Sequence, residues 1–407
     1  MREPLRVVVI GGGTGLSSLL NGLKRYVHPP GKSISLNDPL EDDSVDITVV
    51  VTVTDDGGSS GRLRREFEML PPGDIRNCMV ALSEDEGLMS RLFQYRFAAG
   101  RGLKGHSFGN LFLTAMTHLT GDFARAVRLS SEVLASRGRI FPSTDANVVL
   151  EAHLEDGSVV AGETNISKSR SRIVSLSLRP RRCRPLEETL EAIAQADLIT
   201  MGPGSLFTSI IPNLLVEGIP QAIASSPALK ACFVNLMWQP GETMRFTAAD
   251  HVEAIYRHGL PGMLDCVVVN TQSIGDTLRR RYAAQRARPV ENDIPRLDSR
   301  VADTDGDVNP HQRHIRDAGW INTAHKRRKI RQRINAIEIA NAAVNHHAGF
   351  ATRKNRIAEI VARVSSFLHF AEQINNDNVI FDKRINHPRI LATDPPIRLS
   401  LLLDNAV

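Results

Sequence analysis

Apolar and polar positions alternate along this chain in two rhythms, one of strands and one of helices. Leu5–Ile10 (LRVVVI) is a continuous apolar run closed by glycine, the pattern of a parallel strand buried on both faces. Gly11-Gly12-Gly13-Thr14-Gly15 follows, and Leu16, Leu19, Leu20 and Leu23 then recur at helical spacing up to Tyr26. Strand, glycine turn and helix in that order open a βαβ unit. Residues 27–45 are rich in Pro, Gly, Ser and Asp and read as a surface insertion. Asp46–Thr54 is the second strand, and a mainly helical stretch covers 74–136, interrupted at 100–109. Val148–Thr164 alternates around Asp156-Gly157, a hairpin signal. Ala196–Met201, Ala231–Met237 and Leu264–Asn270 are three more strands, with a helix over Ala248–His258. This alternation predicts an α/β domain over residues 1–300, with a mostly parallel sheet covered on both faces.

Beyond residue 300 the rhythm fades. Only three of the 29 glycines lie there, against seven of the 13 histidines. One amphipathic helix is readable in it (Ile357, Ile360, Val361, Val364, Phe367, Leu368), and 301–407 is taken as a separate, poorly defined basic segment. Charge divides at the same place. From Val301 on there are 16 basic and 11 acidic residues, so the whole formal charge of +5 belongs to the tail. Its run Lys326-Arg327-Arg328-Lys329 carries no interleaved aromatics, so nucleic acid ranks last among partners.

Composition narrows the class further. With 42% apolar and 23% charged residues the chain supports a sizeable core. There is no apolar run long enough to span a membrane and no signal region, which points to a cytoplasmic location. Cys78, Cys183, Cys232 and Cys266 stand far apart without a C-x-x-C pair and read as reduced, buried thiols.

The chemistry concentrates at strand ends. In the first glycine loop, Gly12, Gly13, Thr14 and Gly15 let the backbone approach a phosphate or carboxylate at a helix N-terminus. The pattern is not G-x-G-x-x-G with an acid downstream, so no dinucleotide is assigned. The second loop, T-D-D-G-G-S-S-G-R-L-R, puts Asp55 and Asp56 at a strand's carboxyl end, where α/β sheets bind ligands. Three roles suit these acids: Mg2+ coordination, base toward a hydroxyl, or hydrogen bonds to a sugar; a plain polar turn capped by Asp55 is the structural alternative. Arg62, Arg64 and Arg65 follow as phosphate clamps. P-P-G-D-I-R-N (71–77) reads as a helix start capped by Asp74, and L-K-G-H-S-F-G-N-L offers Lys104, His106, Ser107 and Asn110 in a glycine-flanked loop. His106 is expected to be exposed to the site. A second anion device, G-P-G-S-L-F-T-S-I-I-P-N-L, supplies Gly202, Gly204, Ser205, Thr208 and Ser209. Two such loops on one sheet imply a single ligand spanning the crevice.

These motifs, in this order, resemble the bacterial gluconeogenesis-factor family (YvcK), within the superfamily of the 2-phospho-L-lactate transferases (CofD). The segments V-I-G-G-G-T-G-L, V-T-D-D-G-G-S-S-G-R-L-R, L-K-G-H-S-F-G-N-L and Q-P-G-E-T-M-R-F-T-A-A-D-H-V carry the resemblance, over about Leu5–Leu297. It implies a Rossmann-like three-layer fold, a cytoplasmic homo-oligomer, and a UDP-sugar ligand of the UDP-N-acetylglucosamine type. It also implies a role in cell morphogenesis under gluconeogenic growth. By position, Gly12, Gly13, Thr14, Asp55, Asp56, Asn213 and Tyr282 would line the pocket. In the transferase branch, the aspartates would assist a hydroxyl acceptor attacking a nucleotide diphosphate donor, with Mg2+ offsetting charge. The family's closing strand and basic R-H-D segment have no counterpart after Leu297. A shifted reading frame or a fused unrelated tail would account for that, and the gene's other frames near codon 298 test it.

Overall fold

The computed structural model describes residues 4–27, 44–84, 87–270, 274–293 and 296. Most of the expected insertion and the whole 301–407 segment, with its expected helix, lie outside the described residues. The central sheet starts as the apolar runs require: β1 (Leu5–Gly11), α1 (Gly13–Leu23), then β2 (Val45–Val51). Both strands are buried along nearly their whole length, as parallel strands with helices on each face must be. Leu16, Leu19, Leu20 and Leu23 form the buried stripe of α1.

The helical stretch resolves into α2 (Gly58–Phe67), α3 (Gly73–Leu82), α4 (Leu88–Gln94), α5 (Phe108–Thr120) and α6 (Phe123–Val133). Sequence reading left Gly58–Gly61 in a loop because glycines are poor helix formers. The helix starts there because only glycine fits: a Cβ on Gly61 would lie 1.8 Å from the carbonyl oxygen of Asp56. A short edge strand, β3 (Arg139–Pro142), was not anticipated.

A small antiparallel sheet follows: β4 (Val149–Leu154), β5 (Val159–Ala161), α7 (Glu163–Ile166) and β6 (Ile173–Arg179). β4 alternates buried and half-buried positions, the signature of a sheet packed on one face. The first two strands are the expected hairpin; β6 completes the order β5-β4-β6. The chain returns through α8 (Glu187–Gln195) to β7 (Leu198–Met201), then α9 (Ile211–Leu214), α10 (Ile219–Ser225), β8 (Leu229–Phe233), α11 (Ala248–His258), β9 (Cys266–Val268) and α12 (Asp276–Ala284).

The six-stranded sheet is parallel throughout, in the order β3-β2-β1-β7-β8-β9. Counting only its own strands, that is the 3-2-1-4-5-6 order of the Rossmann fold, as the resemblance implied. The order reverses between β1 and β7, and there the two glycine loops emerge side by side. All four cysteines are free and buried. Among the described residues no single helix is long and apolar enough to cross a membrane; one bent pair, Leu206–Leu214 with Ile219–Ser225, passes by length and composition only.

Candidate functional site

The crevice lies at the carboxyl edge of β1, β2 and β7. Gly12 leaves β1 fully extended, and Gly13 turns at φ +70° to start α1. The two glycine loops press on each other. A Cβ on Gly15 would lie 2.9 Å from the carbonyl oxygen of Pro203, and one on Gly204 would lie 3.1 Å from that of Gly12. Asn213 bridges them further, donating to the carbonyls of Gly11 (3.3 Å) and Ser209 (2.7 Å). The two separated motifs therefore meet as one continuous backbone surface.

The first loop's donor is already engaged. The Gly13 N–H donates to the carboxylate of Asp74, and Asp74 Oδ2 lies 2.7 Å from where a Gly12 Cβ would be. Asp74 therefore does not cap its own helix, α3, which has no side-chain cap. It is densely enclosed yet keeps some solvent contact, which places it on the crevice floor. Burial first, then the Asp55 charge, push its pKa up to about 6.

Asp55 and Asp56 diverge in use. Asp55 Oδ1 accepts the Gly57 N–H at 2.8 Å, the turn-capping role weighed from sequence. Its Oδ2 lies 2.9 Å from where a Gly73 Cβ would be, so it faces the start of α3 and Asp74. Asp56 Oδ1 accepts from the Thr164 backbone N–H (2.9 Å) and hydroxyl (2.6 Å), tying the end of β2 to α7 across 108 residues. That tie brings Glu163 over the sheet edge. Burial and then the charges of Asp55, Asp74, Glu242 and Asp56 push the Glu163 pKa up to about 9. Among the described residues no group of three or more His, Cys, Asp or Glu is arranged to hold a metal. Asp55 still suits Mg2+, which commonly takes one or two carboxylates and completes its shell with water and substrate phosphate.

The arginines are corrected by the structure. Arg64 is no phosphate clamp: it is buried, and it donates to Asn147 Oδ1 (2.9 Å) and to the carbonyls of Thr54 and Val148, strutting β2 against β4. Arg65 is exposed. Arg62 is half-buried and donates to the Lys104 carbonyl at 2.9 Å, while Lys104 itself is exposed.

His106, expected in the open, is 4% exposed. Its Nδ1 lies 3.0 Å from Ser59 Oγ, and Asn110 Nδ2 donates to Ser59 Oγ (3.1 Å) and Ser60 Oγ (3.5 Å). Burial, then Arg62, lower the His106 pKa, so it holds α2 as a neutral ring. Ser107 caps α5 through the Asn110 N–H and accepts from buried Arg76 at 2.6 Å. Burial, then Arg96, bring the Arg76 pKa down to about 10.

At the second loop, Gly202 (φ +78°) enters a cis peptide to Pro203. A π-turn, Leu206–Ile210, follows Ser205; such turns recur at functional sites. Thr208 and Ser209 are buried, and Thr208 donates to Glu242 (3.3 Å), so these hydroxyls are not offered at the rim. Ser205 is half-buried there, fixed by Gln239 Nε2 at 2.6 Å. Tyr282 lies half-buried on α12, beyond the carboxyl end of β9. Sequence reading missed Glu163 entirely and gave Glu242 no role at the crevice. Their only local signal was an acid beside a glycine after a strand or hairpin.

Residues 7–305 match the family described as 2-phospho-L-lactate transferase CofD. This chain belongs to that family. The match runs eight residues past the expected limit at Leu297 and ends five residues into the 301–407 segment. Gluconeogenesis factor of Bacillus subtilis is 50% identical over 297 residues, covering 73% of this chain and 88% of the relative. The gluconeogenesis factor of Halalkalibacterium halodurans is 48% identical over 291 residues, 72% and 85% of the two chains. A crystal structure of a UPF0052-family protein from Bacillus halodurans superimposes with a TM-score of 0.68 at 47% identity, covering 74% of this chain and 91% of that one.

Proposed function

We propose that this CofD-family chain is a gluconeogenesis factor: a cytoplasmic, self-associating protein that binds a nucleotide sugar of the UDP-N-acetylglucosamine type and supports cell morphogenesis under gluconeogenic growth. One observation carries the reading. The β1 and β7 loops meet at the sheet's switch point, where doubly wound folds bind ligands. In this reading the diphosphate rests against Gly204 and Ser205, and Thr14 and Gly15 border it. Asp74 and Asp55 accept sugar or ribose hydroxyls, and Lys104, Arg62 and Tyr282 flank the entrance. Asn213 and Gly202 act behind the surface of the two glycine loops, and His106 and Asn110 hold α2 through Ser59 and Ser60. Thermal melting of the whole chain tests it: saturating UDP-N-acetylglucosamine should raise Tm by about 5 °C or more, since a ligand near 100 times its Kd adds about 2.7 kcal/mol. UDP-sugars shifting Tm no more than unrelated nucleotides would defeat the reading, and size-exclusion chromatography checks the self-association.

The second reading is a transferase moving a phospholactyl-type group from a nucleotide diphosphate donor to a hydroxyl acceptor. The second carboxylate oxygen of Asp55, beside Asp74, supports it, for these two carboxyls could receive the acceptor's proton, while Glu163 keeps its own. Asp55 would also hold the Mg2+ that offsets phosphate charge, with Asp56 as its anchored neighbour. Nucleotide monophosphate released by the wild type and lost in Asp55→Asn would establish turnover and replace the pure-binder reading.

A further inference from the structure

The chain from Tyr95 to Phe108 forms a short ribbon that projects beside the site. Its arms pair through the Arg96–Ser107 bridge, and Phe97 N–H donates to His106 O at 3.0 Å. Gly105 N–H donates to Phe97 O at 2.8 Å, and Phe108 N–H to Tyr95 O at 2.8 Å. The base is fixed to α2 through His106 and Ser59, and the arm through Arg62 on the Lys104 carbonyl. The tip is Ala98-Ala99-Gly100-Arg101-Gly102-Leu103-Lys104, exposed at every position, with positive φ at Gly100 and Gly102. Leu103 is 42% exposed and Tyr95 52%.

Its charge is one-signed. Arg91, Arg96, Arg101 and Lys104 fall in a stretch, residues 87–121, that contains no Asp or Glu. Residues 1–300 carry equal numbers of acids and bases, so this local excess marks a surface for an anionic partner. A second copy docked symmetrically on the same tip would oppose like charges. Nor does the tip suit nucleic acid: Tyr95 and Phe97 meet edge to face, centroids 5.2 Å apart at 79°, so the pair offers no joint stacking platform. An apolar side chain at a convex tip, bracketed by cations, instead matches an anionic bilayer surface: the leucine enters the interface and the cations meet the headgroups.

We propose that the 95–108 ribbon is a peripheral docking element for anionic lipid membranes, placing the crevice next to the bilayer. The test is sedimentation of the full chain with vesicles of phosphatidylcholine alone, or with about 30% phosphatidylglycerol, at low and high salt. The expected result is association with the anionic vesicles only, weakened by salt. The double variant Arg101→Glu/Leu103→Asn should lower it by about tenfold, with Tm unchanged because both side chains are exposed. Leu103→Asn alone should lower the salt-resistant part. If the double variant sediments like the wild type, the basic tail is what binds and the proposal falls. It falls equally if the wild type stays in solution, or if a polyuridylate strand competes it off the vesicles completely.

Discussion

Glu163 holds its proton on the crevice floor because burial and four neighbouring carboxylates oppose its charge. Its ordinary pKa is 4.5 and its folded value about 9, so the folded state binds more protons than the unfolded one throughout that window. Stability linked to Glu163 is therefore full below pH 4.5 and is lost progressively as pH rises toward 9. Glu163→Gln removes the titration while keeping the shape. The variant should match the wild type near pH 4 and exceed it by on the order of 1–3 kcal/mol near pH 8, after discounting for the group's residual solvent contact. Urea denaturation at both pH values measures this, and a variant destabilised equally at both would refute it. Asp55 was legible in the sequence because its position is local, in the loop that directly follows a strand. Glu163 was not, since its place depends on Asp56 reaching Thr164 across the fold. Arg64 misled for the same reason. An arginine after a glycine loop looks like a clamp until the carbonyls of Thr54 and Val148 are seen to accept its hydrogen bonds.

At the scale of elements, α11 and β6 show why one segment could be read and the other could not. The bounds of α11 were anticipated as Ala248–His258, since Thr247 and Asp250 form a complete capping box ahead of a strong apolar stripe. β6 buries Ile173, Leu176 and Leu178, and the alternation breaks between Ile173 and Ser175, where the register slips opposite His153 and Leu154, blurring the period. The two elements are joined by His258. Its Nδ1–H donates to the Ala254 carbonyl at 2.8 Å while Nε2 accepts the Leu176 N–H at 2.9 Å, an arrangement only the neutral ring can make. Burial, its largest cause, holds the pKa below 6.5. The unfolded chain thus binds the proton first, so the stabilisation is full above about pH 6.5 and is lost as pH falls through the folded value. The Leu176 amide should exchange faster as pH falls below the ordinary histidine value of 6.5, after correction for intrinsic exchange. In His258→Gln that acid-dependent acceleration should vanish; if it persists in the variant, another group controls the strand.

Across the whole molecule, the sheet order was recoverable in kind because apolar runs alternating with helical stripes leave few parallel topologies. Where the domain closes was not, because that closure is made by irregular chain. After α12 the backbone returns to the second half of the fold: Trp238 N–H donates to Arg288 O (2.8 Å) and Val290 N–H to Leu236 O (2.9 Å). Ala248 and Ala249 N–H groups donate to Glu291 O and Asp293 Oδ1, both at 2.9 Å, satisfying the first turn of α11. Arg296 then pairs with Asp250 (2.9 Å) and Glu253 (3.0 Å). This strap carries no apolar rhythm, which is why a boundary at residue 300 was drawn from composition alone. It makes two truncations unequal. A chain ending at residue 305, the family limit, keeps the core cluster and the strap and should melt within about 2 °C of the full chain. One ending at residue 284 keeps the Thr247–Asp250 capping box but loses the Glu291 and Asp293 acceptors of the first turn of α11 and the Arg296 pairs, together about 2–4 kcal/mol, and should melt several degrees lower. Calorimetry on the three chains decides it: equal melting of both truncations would mean that the strap adds nothing, and collapse of the 305 chain would make the tail part of the fold.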